Sequence, residues 1–274
     1  MPELPEVETI RRQLERALAG KKIIETQVLW TGRLNVSAAE LKKGTEDAEV
    51  VGVRRRAKLL MIDLDNGKTI AVHLGMTGRL LLADKEPAPN RHVFVIFRFS
   101  DTQLMWEDFR RFGFMKLFDA DSFNKYLAGQ DYGPEPLLAS FDEAALAARL
   151  AKRPRKKIKE LLMDQSVIAG LGNIYAAEAL WFARVRPERP AGELDHKEIA
   201  ELLKGIKKTL TESIENRGTS ADAYVDAYGK QGTNVSNLKV YDREGDPCTR
   251  RDGGIIKKTT LAGRGTYWCP LCQQ

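Results

Sequence analysis

Cysteine is scarce in this chain: there are 3 in 274 residues, and all follow residue 247. A disulfide framework needs more, spread through the fold, so the three raise the question of a metal site instead. Long apolar runs are also missing. Nothing approaches the roughly 18 residues of a membrane-spanning helix. The N-terminus carries acids where a signal peptide needs a basic and then an apolar region. A soluble, cytoplasmic protein with no membrane partner is therefore expected. No internal repeat is visible, and a hydrophobic content of 43% excludes a disordered chain. The length leaves room for two domains, each with its own core. Net charge is +6 and the pI about 9.1, compatible with a polyanionic partner but too ordinary to decide anything.

The pattern of apolar residues divides the chain. Val7, Ile10, Leu14 and Leu18 recur at helical spacing and Gly20 is a stop, which predicts a helix over 5–19. From 22 to 119 the periodicity is that of strands, at 23–30, 49–54, 59–64, 69–74, 93–99, 103–106 and 114–118. Asn66-Gly67 marks a hairpin between two of them. The turn-rich 131–136 is the expected linker, closing an N-terminal domain over 1–130. Helical periodicity returns at 141–152, 156–164, 174–182 and 196–216, with Ser140 or Asp142 as a cap. The Gly-, Ser-, Thr- and Asn-rich 217–237 predicts a long mobile loop at the end of a helical domain over 137–237. A short β-rich module, 238–274, ends the chain. The expected class is α+β: an N-terminal helix with an antiparallel β-sandwich, then a helical domain carrying a β-hairpin module.

Chemistry concentrates at the first residues. Removal of Met1 would leave Pro2 with a terminal secondary amine, and α-amino groups titrate near neutrality. Such an amine can attack an electrophilic sugar carbon and form an iminium ion. Glu3 and Glu6 place carboxyl groups beside it for proton transfer. Alone, the stretch reads as a processed terminus followed by an ordinary amphipathic helix. In the helical region Gly170-Leu171-Gly172-Asn173 sits between two helices. There the glycines allow a tight turn and the N–H groups at the helix start can seat a phosphate.

MPELPEVETIRRQL and DQSVIAGLGNIYAAEAL (164–180) together resemble the bacterial formamidopyrimidine-DNA glycosylase (Fpg) family, which removes oxidised purines from DNA. The resemblance implies that Pro2 is the nucleophile, Glu3 the proton shuttle and Glu6 part of the lesion pocket, and that Asn173 lies in a helix–two-turn–helix gripping phosphate. Lys58, in Arg56-Ala-Lys-Leu-Leu60, matches a lysine of the elimination chemistry. Ala57 stands where the family has glycine, which reads as a small change. Met76, Arg110 and Phe112 match three residues that enter the duplex and fill the hole left by an extruded nucleotide. By residue type alone, Met76 and Phe112 would be core. His92 matches a histidine near the DNA backbone. The basic run 152–159 implies phosphate contacts, with Lys159 the best aligned member. Pro154 stands where relatives carry a lysine, leaving Arg153 or Arg155 to take over.

The tail departs from its family pattern, C-x2-C-x16-C-x2-C, a zinc ribbon with four thiolates. Cys248, Cys269 and Cys272 match, but Arg251 replaces the second cysteine, Asp252 follows it, and the middle interval is one residue longer. Either zinc binds three thiolates plus Asp252 or solvent, or packing alone holds the finger. Structural zinc is the expectation, with no redox cofactor. Arg264, in Leu261-Ala-Gly-Arg-Gly-Thr266, matches the arginine at the finger tip that assists the last elimination. The implied activity is that of a monomeric base-excision DNA glycosylase/AP lyase on damaged duplex DNA. It excises 8-oxoguanine and formamidopyrimidines through a proline iminium and β,δ-elimination. The alternatives are an endonuclease VIII-like enzyme for oxidised pyrimidines, disfavoured by Leu4, and a non-catalytic binder on the same scaffold, disfavoured by Pro2, Glu3 and Lys58.

Overall fold

The computed structural model describes residues 1–84, 91–221 and 223–274 and contains two compact units. The first is Met1–Gln130 with Asn216–Thr233; the second is Asp131–Glu215 with Asn234–Gln274. The expected helical domain 137–237 therefore yields most of its loop to the N-terminal unit. Position 222 of that loop lies outside the described residues.

The first unit begins with α1 (Leu4–Leu18), followed by β1 (Glu25–Val28), α2 (Ala38–Thr45), β2 (Val50–Arg56), β3 (Leu59–Leu64) and β4 (Thr69–His73). β5 (Gly78–Ala83), β6 (Val93–Arg98), β7 (Gln103–Asp108), β8 (Phe114–Phe118) and α3 (Ala120–Ala128) complete it. Two antiparallel four-stranded sheets run β1-β6-β7-β5 and β2-β3-β4-β8. One core cluster takes Leu60, Ile62 and Leu64 from one sheet, Phe94, Leu104 and Trp106 from the other, and Val7, Ile10, Leu14 and Leu18 from α1. Alternation sends Leu59, Met61 and Ala71 to the opposite face, where Phe123 of α3 covers them. β3 is thus buried on both faces, so its sequence reads as a continuous apolar run. α1 is stitched to β2: Arg11 donates to the Val53 carbonyl, Glu15 accepts the Val53 N–H, and Arg55 donates to Glu8.

In the second unit α4 (Glu143–Ala151) is capped by Asp142, which accepts the Ala145 N–H at 2.9 Å. α5 (Ile158–Met163), α6 (Asn173–Ala183) and α7 (His196–Glu215) follow. α6 is the central helix, buried from Ile174 to Leu180 on every side, and Gly205 lets α7 approach it closely: a Cβ there would meet the Ala179 carbonyl at 2.8 Å. The hairpin of β9 (Lys257–Leu261) and β10 (Arg264–Trp268) turns through Ala262 and Gly263, both at positive φ. Among the described residues no helix is long and apolar enough to cross a membrane.

Candidate active site and nucleic-acid interface

Pro2 and Glu3 are buried at the start of α1, Glu3 being 2% exposed and Glu6 1%. A chain terminus frays unless something holds it. Here Glu6, at the third helical position, reaches back and accepts the Glu3 N–H at 2.8 Å, half of a capping box. Its other oxygen accepts the Thr219 N–H at 2.8 Å. One carboxylate thus fixes both the residue after Pro2 and the loop that composition marked as mobile. That loop has further anchors on α1. Gln13 accepts the Ala227 N–H and donates to Asp226, whose buried carboxylate also takes the N–H groups of Tyr228 and Lys230. Burial, with Glu6 and Asp226 nearby, pushes the Tyr224 hydroxyl far above its ordinary pKa; it stays protonated and donates to the Arg217 carbonyl. The described residues of 216–233 are therefore tied down.

Lys58 is buried, in the tight turn between β2 and β3. Ala57 before it has φ 52°, the left-handed region that favours glycine, so the Gly-to-Ala difference is not the small change the sequence suggested. The His73 imidazole, stacked on Phe114, is pushed down to about 4 by burial and by the Lys58 charge. It is neutral at physiological pH and accepts the Gly75 N–H through Nδ1.

Met76 and Phe112 are 38% and 52% exposed, neither of them a core residue. The Arg110 guanidinium lies 4.8 Å from the Phe112 ring centroid. His92 sits against the Phe109 ring, and its carbonyl accepts the Asp108 N–H.

In the second unit the basic run splits. Arg155 is exposed, as are Lys156 and Lys157, whereas Arg153 is held by Asp164 at 2.6 Å and by Ser166. Burial raises the Asp164 carboxyl, but bonds from Ser166 and Arg153 outweigh it and hold it below its usual value. Lys159 departs from expectation: it is fully buried, donating to Thr266 Oγ1 at 2.7 Å and to the Gly265 carbonyl at 3.2 Å. Such a lysine is a bracket on the finger hairpin, not a surface cation. Asn173 Nδ2 donates to the same carbonyl at 3.0 Å, while its Oδ1 is buried with no hydrogen-bond partner. Arg264, one residue away at the hairpin turn, is exposed.

Cys248, Asp252, Cys269 and Cys272 bring their ligand atoms within 4.8 Å of one another. The Cys248–Cys272 sulfurs are 3.9 Å apart and Asp252 lies 3.7 Å from the Cys269 sulfur. A tetrahedral zinc with 2.3 Å bonds to sulfur sets ligand edges of about 3.8 Å, so the donor set fits structural zinc. Burial pushes the Cys272 thiol up to about 12, opposed by Arg250, and a bound cation is what converts such a group to thiolate. Arg250 donates to Cys272 Sγ at 3.1 Å and to the Phe182 carbonyl at 2.9 Å, tying the cluster to the end of α6.

Sequence reasoning missed Asp108, Asp226, Arg250 and Glu178. Glu178 accepts the N–H groups of Lys239, Val240 and Tyr241 at the root of the finger. An acid inside the otherwise apolar IYAAEALWFA was the signal that could have found it.

A proline-led buried helix and two-sheet unit, followed by a glycine-turn helix pair and a cysteine finger, define the helix–two-turn–helix glycosylase architecture. Residues 1–115 match the formamidopyrimidine-DNA glycosylase N-terminal domain, 132–224 its H2TH domain, and 245–274 the zinc finger found in FPG and IleRS. The formamidopyrimidine-DNA glycosylases of Pelotomaculum thermopropionicum and Chloroflexus aurantiacus are each 44% identical, over 100% of this chain and 99% and 98% of theirs. The crystal structure of Lactococcus lactis Fpg in complex with abasic-site DNA superposes with a TM-score of 0.92 at 37% identity, over 99% of each chain. The chain belongs to the formamidopyrimidine-DNA glycosylase family.

Proposed function

We propose that the protein is a cytoplasmic base-excision glycosylase with AP lyase activity that removes oxidised purines from duplex DNA. The observation that carries this reading is Glu6, whose one carboxylate holds Glu3 and the 219 loop and so fixes the Pro2 terminus in a buried setting. After loss of Met1, the Pro2 nitrogen attacks C1′ of the extruded nucleotide. The C1′–base bond breaks and the base leaves with the electron pair and a proton delivered through Glu3. The Pro2 nitrogen gives up its own proton, the C1′–O4′ bond then opens with O4′ taking up a proton, and the nitrogen lone pair closes the iminium. The cationic iminium acidifies the C2′–H. Loss of that proton expels the 3′-phosphate, and a second elimination expels the 5′-phosphate. Lys58 assists the first elimination and Arg264 the last. Arg155 and the helix start at Asn173 contact phosphates; Cys248, Asp252, Cys269 and Cys272 would hold a structural zinc, which would brace the hairpin that presents Arg264. Leu4 favours oxidised purines over oxidised pyrimidines, and the intact Pro2, Glu3 and Lys58 favour a catalyst over a non-catalytic binder. Borohydride trapping on duplexes carrying 8-oxoguanine or an oxidised pyrimidine tests the reading. The purine duplex is expected to cross-link, and Pro2→Gly or a retained N-terminal extension to abolish it. Full trapping by a protein with a blocked terminus would refute the assignment.

A further inference from the structure

Two loops carry the residues read as the wedge, and a single fully buried carboxylate joins them. Asp108, at the end of β7, is 0% exposed. Its Oδ1 accepts the Thr77 hydroxyl at 2.5 Å and the Arg110 N–H at 3.1 Å, and its Oδ2 accepts the Gly113 N–H at 2.7 Å. Thr77 Oγ1 in turn accepts the Arg110 N–H at 3.0 Å. Thr77 follows Met76 in a turn closed by the Gly78 N–H on the Leu74 carbonyl. The carboxylate therefore ties the Met76 turn to the segment bearing Arg110 and Phe112.

The backbones press together at the same place. A Cβ on Gly75 would lie 2.6 Å from the Gly113 nitrogen, and one on Gly113 would lie 2.6 Å from the His73 carbonyl. Arg111 sits at φ 58°, a strained value for a side-chain-bearing residue, and its carbonyl is held by Arg33 Nε at 2.7 Å. A loop meant only to cover the sheet end needs neither the strain nor a buried charge. A wedge does, because entering a base stack costs a few kcal/mol, and a loop that yields would lose that contest.

We propose that Asp108 is a positioning residue that makes Met76, Arg110 and Phe112 one rigid insert, so that the rate of nucleotide extrusion depends on it although it touches no DNA. This rests on the glycosylase reading above. Asp108→Asn turns one acceptor into a donor facing backbone N–H groups. Thr77→Val cuts only the link between the loops, and Thr77→Ser keeps it.

The test is stopped-flow fluorescence of 2-aminopurine beside an 8-oxoguanine, with the full chain, together with affinity for an undamaged duplex. Asp108→Asn and Thr77→Val are expected to slow extrusion about tenfold or more, the scale of one lost charge-assisted bond. Undamaged-duplex affinity, set mainly by phosphate contacts, should change less than about twofold. Thr77→Ser should restore the rate, and Thr77→Val should have no further effect in a Phe112→Ala background, because the two then act through one element. If Asp108→Asn fails to fold, the Thr77 pair decides. Unchanged extrusion in folded Thr77→Val, or the same slowing with Phe112 already removed, would overturn the proposal. A wild-type protein that extrudes but does not trap would sink the catalytic reading and leave the positioning role standing. One that does neither would sink both.

Discussion

The loops of the N-terminal unit are tied chiefly by buried carboxylates, with Arg33 and Arg79 adding bonds to the Arg111 and Ala223 carbonyls, and the finger of the second chiefly by cations. In the first, buried carboxylates collect backbone N–H groups: Glu6 those of Glu3 and Thr219, Asp108 those of Arg110 and Gly113, Asp226 those of Tyr228 and Lys230. In the finger, cations collect carbonyls: Lys159 takes Gly265 and Arg250 takes Phe182. The difference has a consequence for a protein whose partner is a polyanion. A carboxylate buried under its own loop keeps negative charge away from the DNA and leaves the arginines outside to meet phosphate. A lysine spent on the hairpin is lost to that surface, whereas Arg155 and Arg264 are exposed, and under the proposed function it is these two that meet phosphate.

Glu178 runs against this division, a carboxylate at the root of the finger, and is the strongest way to break the comparison. Glu178→Ala leaves the buried Val240 N–H and the part-buried Lys239 and Tyr241 N–H groups without this acceptor, at a cost of about 3–5 kcal/mol. If the cation brackets sufficed, urea unfolding would show little change; a loss of that size, with early release of zinc, is expected. The metal comes next. About one zinc per chain is expected from elemental analysis of protein purified without chelator. Asp252→Ala removes one of four ligands from a site whose kind is worth about 10–16 kcal/mol, so competition with a chromogenic chelator should show affinity falling roughly a hundredfold. Asp252→Cys should tighten it. No loss on Asp252→Ala would mean that solvent is the fourth ligand.

His73 sharpens the other side, as a neutral group among the charged ones. Its folded pKa of about 4 lies below the ordinary 6.5, because burial and Lys58 disfavour the cation. Between those values the unfolded chain binds a proton that the folded protein does not, so stability falls as pH drops from 6.5 toward 4, by about 3 kcal/mol at most. The check is urea unfolding at pH 4.5 and 7.5 in wild type and His73→Gln. The variant should lose that part of the slope; an unchanged slope would assign it to other groups.

How much of this was legible follows from range. α1, most of the strands and the glycine turn before Asn173 announce themselves through spacing a few residues wide. α2 carried a local signal too, the Ser37–Glu40 capping box, and was passed over because its helix is short. β5 was hidden because it follows the Met76 turn and its three consecutive leucines do not alternate. The brackets were beyond reach for another reason. Lys159 to Gly265 and Gln13 to Asp226 join residues separated by 106 and 213 positions, and nothing local in a basic run distinguishes a buried lysine from a solvated one. The composition of 217–237 misled in the same way, since turn residues describe a loop's backbone and say nothing of what ties it down.

The smallest expected effect concerns the turn beside Lys58, where the strain lies in the backbone itself. Arg55 donates to the Ala57 carbonyl at 2.9 Å, which helps fix the turn, but Ala57 remains at φ 52°, where its Cβ crowds the carbonyl that follows. Glycine at this position removes the strain of about 1–2 kcal/mol and returns part of it as extra freedom in the unfolded chain. Ala57→Gly is therefore expected to stabilise the protein by about 1 kcal/mol, read as a shift in urea midpoint at unchanged slope. The same substitution separates two uses of the strain. If the alanine serves only as a tolerated replacement, trapping on an 8-oxoguanine duplex should be unchanged or faster in Ala57→Gly. If the stiffer residue holds Lys58 for the elimination, the glycine variant should be more stable yet slower in β-elimination, with base release unaffected. A destabilised Ala57→Gly would contradict both, because it would mean that the left-handed turn costs this chain nothing.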